Sequence, residues 1–230
     1  MGEGEPLILV HGLAASTLWW RRNIPALARQ YRVYLLDLPG FGLMRRFYYR
    51  FVLDDMADWL LAWMDAMGIA RVSLIGHSMG GYICLHIAAH HPEKVRRLIL
   101  VAPAGLSYKK TMLGYFFPLT LAVHYAVPSF LPILFYDALR AGPLTFVSAT
   151  RDLLRTDLRN TLKSITVPTL LIWGVNDMLV PAAFAGVFRQ EIANSRLLLL
   201  NKAGHVVMYD QAYAFNNAVL AFLADQDTGM

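Results

Sequence analysis

The amino-acid sequence predicts an α/β protein: a mostly parallel sheet of about six strands flanked by helices. Three observations carry this. Six short apolar runs rich in Val, Ile and Leu recur along the 230 residues, at Leu7–Val10, Val33–Leu36, Val72–Ile75, Leu98–Val101, Thr169–Trp173 and Leu197–Leu200. Continuous apolar runs of that length suit strands covered on both faces, and stretches of helical periodicity separate them, as in a doubly wound sheet. Hydrophobic residues make up 57% of the chain and charged residues only 16%, against a usual charged share of about 25%. Such a chain buries enough apolar surface to offset its conformational entropy, which excludes a disordered polypeptide.

Each element follows from local pattern. Six residues precede Leu7. They include no basic stretch or cleavage site, and Leu7–Val10 is too short for a secretory signal, so it reads as a first strand and the expected location is cytoplasmic. After the second strand, Asp54–Met67 sets Met56, Leu60, Trp63 and Met67 on one helical face. Asp54, Asp55 and Asp58 favour the positive end of its dipole, and Gly68 stops it. Val72–Ile75 leads into a glycine-rich turn and a helix over Tyr82–His90. Near the C-terminus, Tyr209–Leu223 repeats the helical pattern with Phe215, Val219 and Phe222. No internal repeat or Gly/Ser linker interrupts this order.

One region breaks the rhythm. From Thr111 to Tyr136 run 26 residues without a formal charge. Their length would suffice for a membrane span, but Pro118, Pro128 and Pro132 divide the run into short helical pieces, which suits an apolar cap over a cleft. The expected organisation is therefore a core of residues 1–104 and 161–230 with a helical cap at 105–160, inserted before the fifth strand.

Charge and cysteine content narrow the partners. Lys plus Arg number 21 and Asp plus Glu 16, a net +5. The excess is scattered in pairs such as Arg21-Arg22 and Arg96-Arg97. The cluster from Arg45 to Arg50, which interleaves Phe47, Tyr48 and Tyr49, is too short for an extended track, so no nucleic-acid partner is expected. A single cysteine, Cys84, excludes an intramolecular disulfide.

The sharpest chemical signal is Gly76-His77-Ser78-Met79-Gly80-Gly81, between a strand and a helix. A serine on so tight a turn needs small neighbours, and the helix behind it directs a positive field at developing negative charge. The plain alternative is an ordinary turn serine. A serine hydroxyl needs a base, and His205, in Ala203-Gly204-His205 after the last strand, is the best placed of the seven histidines. His86 and His90 are spaced like metal ligands but lack a third partner, so no metal is expected; His77 fills the variable position of the turn. The base needs a carboxylate to hold its tautomer. Asp177, just after Thr169–Trp173, fits better than Asp152, Asp157 or Asp210.

The order Ser78, Asp177, His205 resembles that of the α/β-hydrolase family. Val10-His11-Gly12-Leu13 resembles the family's oxyanion loop, and Asp37-Leu38-Pro39-Gly40-Phe41-Gly42 its loop after the next strand. The resemblance implies an α/β-hydrolase fold and a serine carboxylesterase or lipase-like enzyme. It assigns Ser78, Asp177 and His205 as catalytic residues and the backbone N–H groups of Leu13 and Met79 as the oxyanion hole. It calls for no metal or organic cofactor. Two departures stand out. The family usually carries one or two more strands before the oxyanion loop, which implies a trimmed sheet edge or a truncated chain. The loop after Gly42 usually continues with a serine one residue later; here it reads Leu43-Met44-Arg45-Arg46.

The expected reaction is hydrolysis of a carboxylic ester with an apolar part, of short to medium acyl chain, through an acyl-enzyme. The same three residues also serve carbon–carbon bond hydrolases, cofactor-free haloperoxidases and hydroxynitrile lyases, and a non-catalytic binding protein on this scaffold is the reading from another class. A serine nucleophile argues against the dehalogenase and epoxide-hydrolase branches, which use aspartate. Trp19 and Trp20 stand either at the pocket or in the core, and the cap is a candidate surface for a homodimer.

Overall fold

The computed structural model describes residues 1–46, 51–106 and 127–224. All six expected strands are present: β1 (Glu5–Val10), β2 (Tyr31–Leu36), β3 (Val72–His77), β4 (Val95–Val101), β5 (Thr169–Gly174) and β6 (Ser195–Leu200). They form one sheet in the order β2-β1-β3-β4-β5-β6, and every described pair is parallel. Alternate residues of each strand point to opposite faces, and both faces are buried. One face, with Ile8, Leu74, Leu100 and Trp173, packs on α1 (Asp55–Ala66), α2 (Met79–His90) and α5 (Ala183–Glu191). The other, with Leu9, Ile75, Ile99 and Ile172, packs on Trp20, Leu27 and on Phe215 and Val219 of α6 (Ala212–Ala224). Two-sided burial is why the strands read as unbroken apolar runs.

Three local expectations are corrected. The buried stripe of α1 is Met56, Leu60 and Met64, while Met67 is 51% exposed. Met67 is the residue after the last full turn, and Gly68, at φ +67°, carries the chain away from the helix path. The helix after β3 begins at Met79 rather than Tyr82, because the tight turn at Ser78 leads straight into it. The C-terminal helix is divided at Gln211 into a helical turn, Val207–Asp210, and α6.

Between β4 and β5 run residues 102–168, the insertion. Residues 107–126 of it fall outside the described residues, as do residues 47–50 of the basic cluster. From Pro128 onward the insertion is helical: a turn at Pro128–Phe130, α3 (Leu131–Arg140), α4 (Pro143–Arg155) and a turn at Arg159–Leu162. Among the described residues no single helix is long and apolar enough to cross a membrane; α3 and α4 meet that composition only as a pair bent by 102°.

The sheet order sets the site. The chain reverses direction across the sheet between β1 and β3, which are neighbours, with Val10 paired to Gly76 at their carboxyl ends. A crevice at such a reversal is where open α/β sheets gather their ligands.

Candidate active site

Ser78 follows β3 directly and adopts φ 52°, ψ −115°. A non-glycine residue there carries strain of order 1–3 kcal/mol, which the surroundings must hold. Its N–H donates to the Val101 carbonyl at 3.0 Å, and its carbonyl accepts from Tyr82 at 3.2 Å and Ala104 at 2.9 Å. Glycine is required on both sides because backbones meet there. A Cβ on Gly76 would lie 2.4 Å from the Gly80 carbonyl oxygen, and one on Gly80 would lie 2.4 Å from that of Val10. Ser78 itself is half-buried while its neighbours His77 and Met79 are buried.

The loop of residues 10–13 lies against this turn. A Cβ on Gly12 would lie 3.1 Å from the Ser78 Cβ. His11, fully buried, accepts the Leu38 N–H on Nε2 at 3.0 Å and donates from Nδ1 to the Gly12 carbonyl at 2.8 Å. It braces its loop against the loop after β2, and burial holds its imidazole below the usual range, hence neutral. Asp37 fixes the far side by accepting Thr17 N–H and Leu43 N–H, each at 2.8 Å. Among the described residues the N–H groups of Leu13 and Met79 form no hydrogen bond.

Asp177 and His205 come together across 28 residues of sequence: His205 Nδ1 donates to Asp177 Oδ2 at 2.8 Å. The other carboxylate oxygen accepts the N–H groups of Leu179 and Val180, each at 2.9 Å. Both residues are buried, Asp177 to 4% exposure and His205 to 8%. A carboxylate so fixed sets the imidazole tautomer with hydrogen on Nδ1 and a lone pair on Nε2. The loops bearing them are pressed together at Gly174, where a Cβ would lie 2.2 Å from the Gly204 carbonyl oxygen. Asp210 takes a different part. It accepts the Gly204 N–H at 2.9 Å and steadies the His205 loop from below, and burial raises its carboxyl.

Sequence reasoning passed over two contacts. His77 touches His205, with ring centroids 4.7 Å apart. Asp137, from α3, accepts both Ser16 Oγ–H at 2.8 Å and Trp19 Nε1–H at 2.9 Å, and so ties α3 to the segment of residues 16–20. Trp19 stands 5.7 Å from His77 and 4.9 Å, edge-on, from Phe130, and Trp20 packs on Phe215; both tryptophans are buried in one core cluster. His86 and His90 lie 4.2 Å apart on α2. Among the described residues no three His, Cys, Asp or Glu side chains are grouped to share a metal ion.

Comparison with known proteins agrees with the fold. The family described as alpha/beta hydrolase fold matches residues 5–133, and a second, described as TAP-like protein, matches residues 149–229. The chain is 34% identical over 96% of its length to a dihydrolipoyllysine-residue acetyltransferase component of an acetoin cleaving system from Pseudomonas putida, and it spans 64% of that protein. It is 28% identical, over 96% of each chain, to a pimeloyl-[acyl-carrier protein] methyl ester esterase from Aeromonas hydrophila. Among solved structures, a meta-cleavage product hydrolase from Pseudomonas fluorescens IP01 superposes with a TM-score of 0.80 at 28% identity, covering 97% of this chain and 92% of the other.

Proposed function

The chain belongs to the α/β-hydrolase fold family, and from that premise we propose that it is a serine hydrolase that cleaves carboxylic esters through an acyl-enzyme. One observation carries the reading. A buried Asp177–His205 pair, 2.8 Å apart, packs its imidazole 4.7 Å from the ring of His77, the residue before a strained, half-buried serine whose turn abuts a loop with an unengaged N–H.

In this reading His205 Nε2 takes the Ser78 hydroxyl proton as Oγ bonds to the ester carbonyl carbon. The carbonyl oxygen becomes an oxyanion and is held by the N–H groups of Leu13 and Met79; losing one such donor costs about 10²–10³ in rate. Collapse breaks the bond to the alcohol, which leaves with the proton from Nε2. Water then attacks the acyl carbon as His205 takes its proton, and the acid and free Ser78 are released. Asp177 accepts the hydrogen on Nδ1 and stabilises the imidazolium. A substrate with an acyl part is supported by two of the named relatives, whose names give acyl groups as what they work on.

The test is hydrolysis of p-nitrophenyl esters of increasing acyl length, with fluorophosphonate labelling of the same preparation. Ser78→Ala is expected to lower kcat about 10⁴-fold or more with the fold retained, and to abolish the label. Activity that survives this change removes Ser78 from the mechanism. A second reading, carbon–carbon bond hydrolysis, is favoured by the likeness to the meta-cleavage product hydrolase. Turnover of a vinylogous diketone with little turnover of simple esters decides for it.

A further inference from the structure

We propose that His77, the variable residue of the serine turn, is a positioning residue that holds the His205 loop and the oxyanion loop in register with Ser78; this rests on the catalytic reading above. His77 is the last residue of β3 and only 1% exposed. Its Nε2 lies 3.0 Å from the backbone carbonyl oxygen of His205. A carbonyl only accepts, so Nε2 carries the hydrogen and Nδ1 a lone pair. The bond therefore runs from the residue before the nucleophile to the backbone of the base, across 128 positions of sequence.

The opposite edge of the same ring faces the oxyanion loop. A Cβ on Gly12 would lie 3.0 Å from His77 Nδ1 and 3.4 Å from Cε1. Trp19 stands near the ring at 5.7 Å, and Trp19 is itself tied to α3 through Asp137. One rigid ring thus sits where the three loops of the reaction meet.

Core filling alone does not account for this residue. His77 Nδ1 is buried without a hydrogen-bond partner among the described residues, and an unpaired buried acceptor is a cost that leucine, of similar size, would avoid. What leucine lacks is the donor to the His205 carbonyl. The ring is also neutral, because burial first, and then the neighbouring His205 and His11, hold its titration well below the usual range. A neutral donor steadies the base without placing a second positive charge beside the imidazolium that forms in the reaction.

The experiment compares wild type, His77→Leu and His77→Gln on whichever substrate the wild type turns over. Competent sites are counted by fluorophosphonate titration, so kcat is per active site even where folding is incomplete. His77→Leu keeps the volume and removes the donor; His77→Gln keeps an N–H donor close to the position of Nε2. For His77→Leu the expected result is a fall in kcat of about tenfold to a hundredfold, KM within about twofold and little net change in thermal stability, because losing the unpaired Nδ1 offsets leaving the His205 carbonyl unpaired. His77→Gln is expected to recover most of kcat. Wild-type kcat in His77→Leu, or an equal loss in both variants, overturns the proposal. A wild type that is neither labelled nor active on any ester or diketone instead defeats the catalytic reading on which it rests.

Discussion

The crevice at the carboxyl ends of the strands and the helical insertion beside it are held by different means. At the crevice, backbone meets backbone: Gly76 against Gly80, Gly80 against Val10, Gly174 against Gly204, each with a carbonyl oxygen no more than 2.4 Å from where a Cβ would stand. In the insertion, side chains do the holding. α3 is tied down by one carboxylate, Asp137, while Phe135 and Leu139 on the same helix are 58% and 87% exposed. Close backbone contact leaves a few tenths of an ångström of play and suits groups that must meet within hydrogen-bond distance. Side-chain ties tolerate replacement, which suits a surface that shapes what is admitted.

Substitutions can break this contrast from either side. Gly80→Ala drives a methyl into the Val10 and His11 carbonyls, at 2.4 and 2.5 Å. It is expected to cost about 3 kcal/mol or more in urea unfolding, whereas Gly186→Ala, with nothing within 4 Å, is expected to be neutral or slightly stabilising. Acid should loosen the crevice next. Burial lowers the imidazoles of both His11 and His77, so the unfolded chain binds protons that the folded one refuses. Their contribution is complete above the ordinary histidine value of about 6.5 and is lost as pH falls below it. The expected slope is about 1.4 kcal/mol per pH unit for each histidine. Urea titrations at pH 7, 6 and 5 measure it, and His77→Gln should remove one of the two contributions.

In the insertion the effects are smaller. Asp137→Ala removes the shared acceptor of Ser16 and Trp19 and is expected to cost about 1–3 kcal/mol, with only a modest change in kcat. Asp137→Asn keeps an acceptor there and should cost less. It should also erase one pH effect. Burial raises the Asp137 carboxyl, so its contribution to stability is present below the ordinary carboxylate range and lost as pH rises through the raised value. Leu139→Lys, at an 87% exposed site, should shift stability by no more than about 0.5 kcal/mol. A large loss there would mean that the outer face of α3 is covered.

How much of this could be read beforehand obeys the same division. Six strands were legible because burial on both faces leaves no polar residues to blur the runs. The turn at Ser78 was legible because a strained turn demands glycines at fixed offsets, and the placement of Asp177 and His205 because each follows a strand at the same sheet edge. The contact of His77 with His205 was not, since the variable position of the turn has no local requirement and the partner lies 128 residues away. Asp137 was hidden for the same reason, its partners lying 121 and 118 residues away. Met67 misled because helical periodicity continues on paper past the point where Gly68 turns the backbone.

The bonds from Ser16 and Trp19 to Asp137 have a consequence for traffic. Any swing of α3 outward must either rupture both or drag along the short stretch of chain that also carries the donor at Leu13. On the catalytic reading proposed above, entry of a bulky guest and readiness of the anion cradle are two ends of one lever, with its fulcrum at a single buried oxygen.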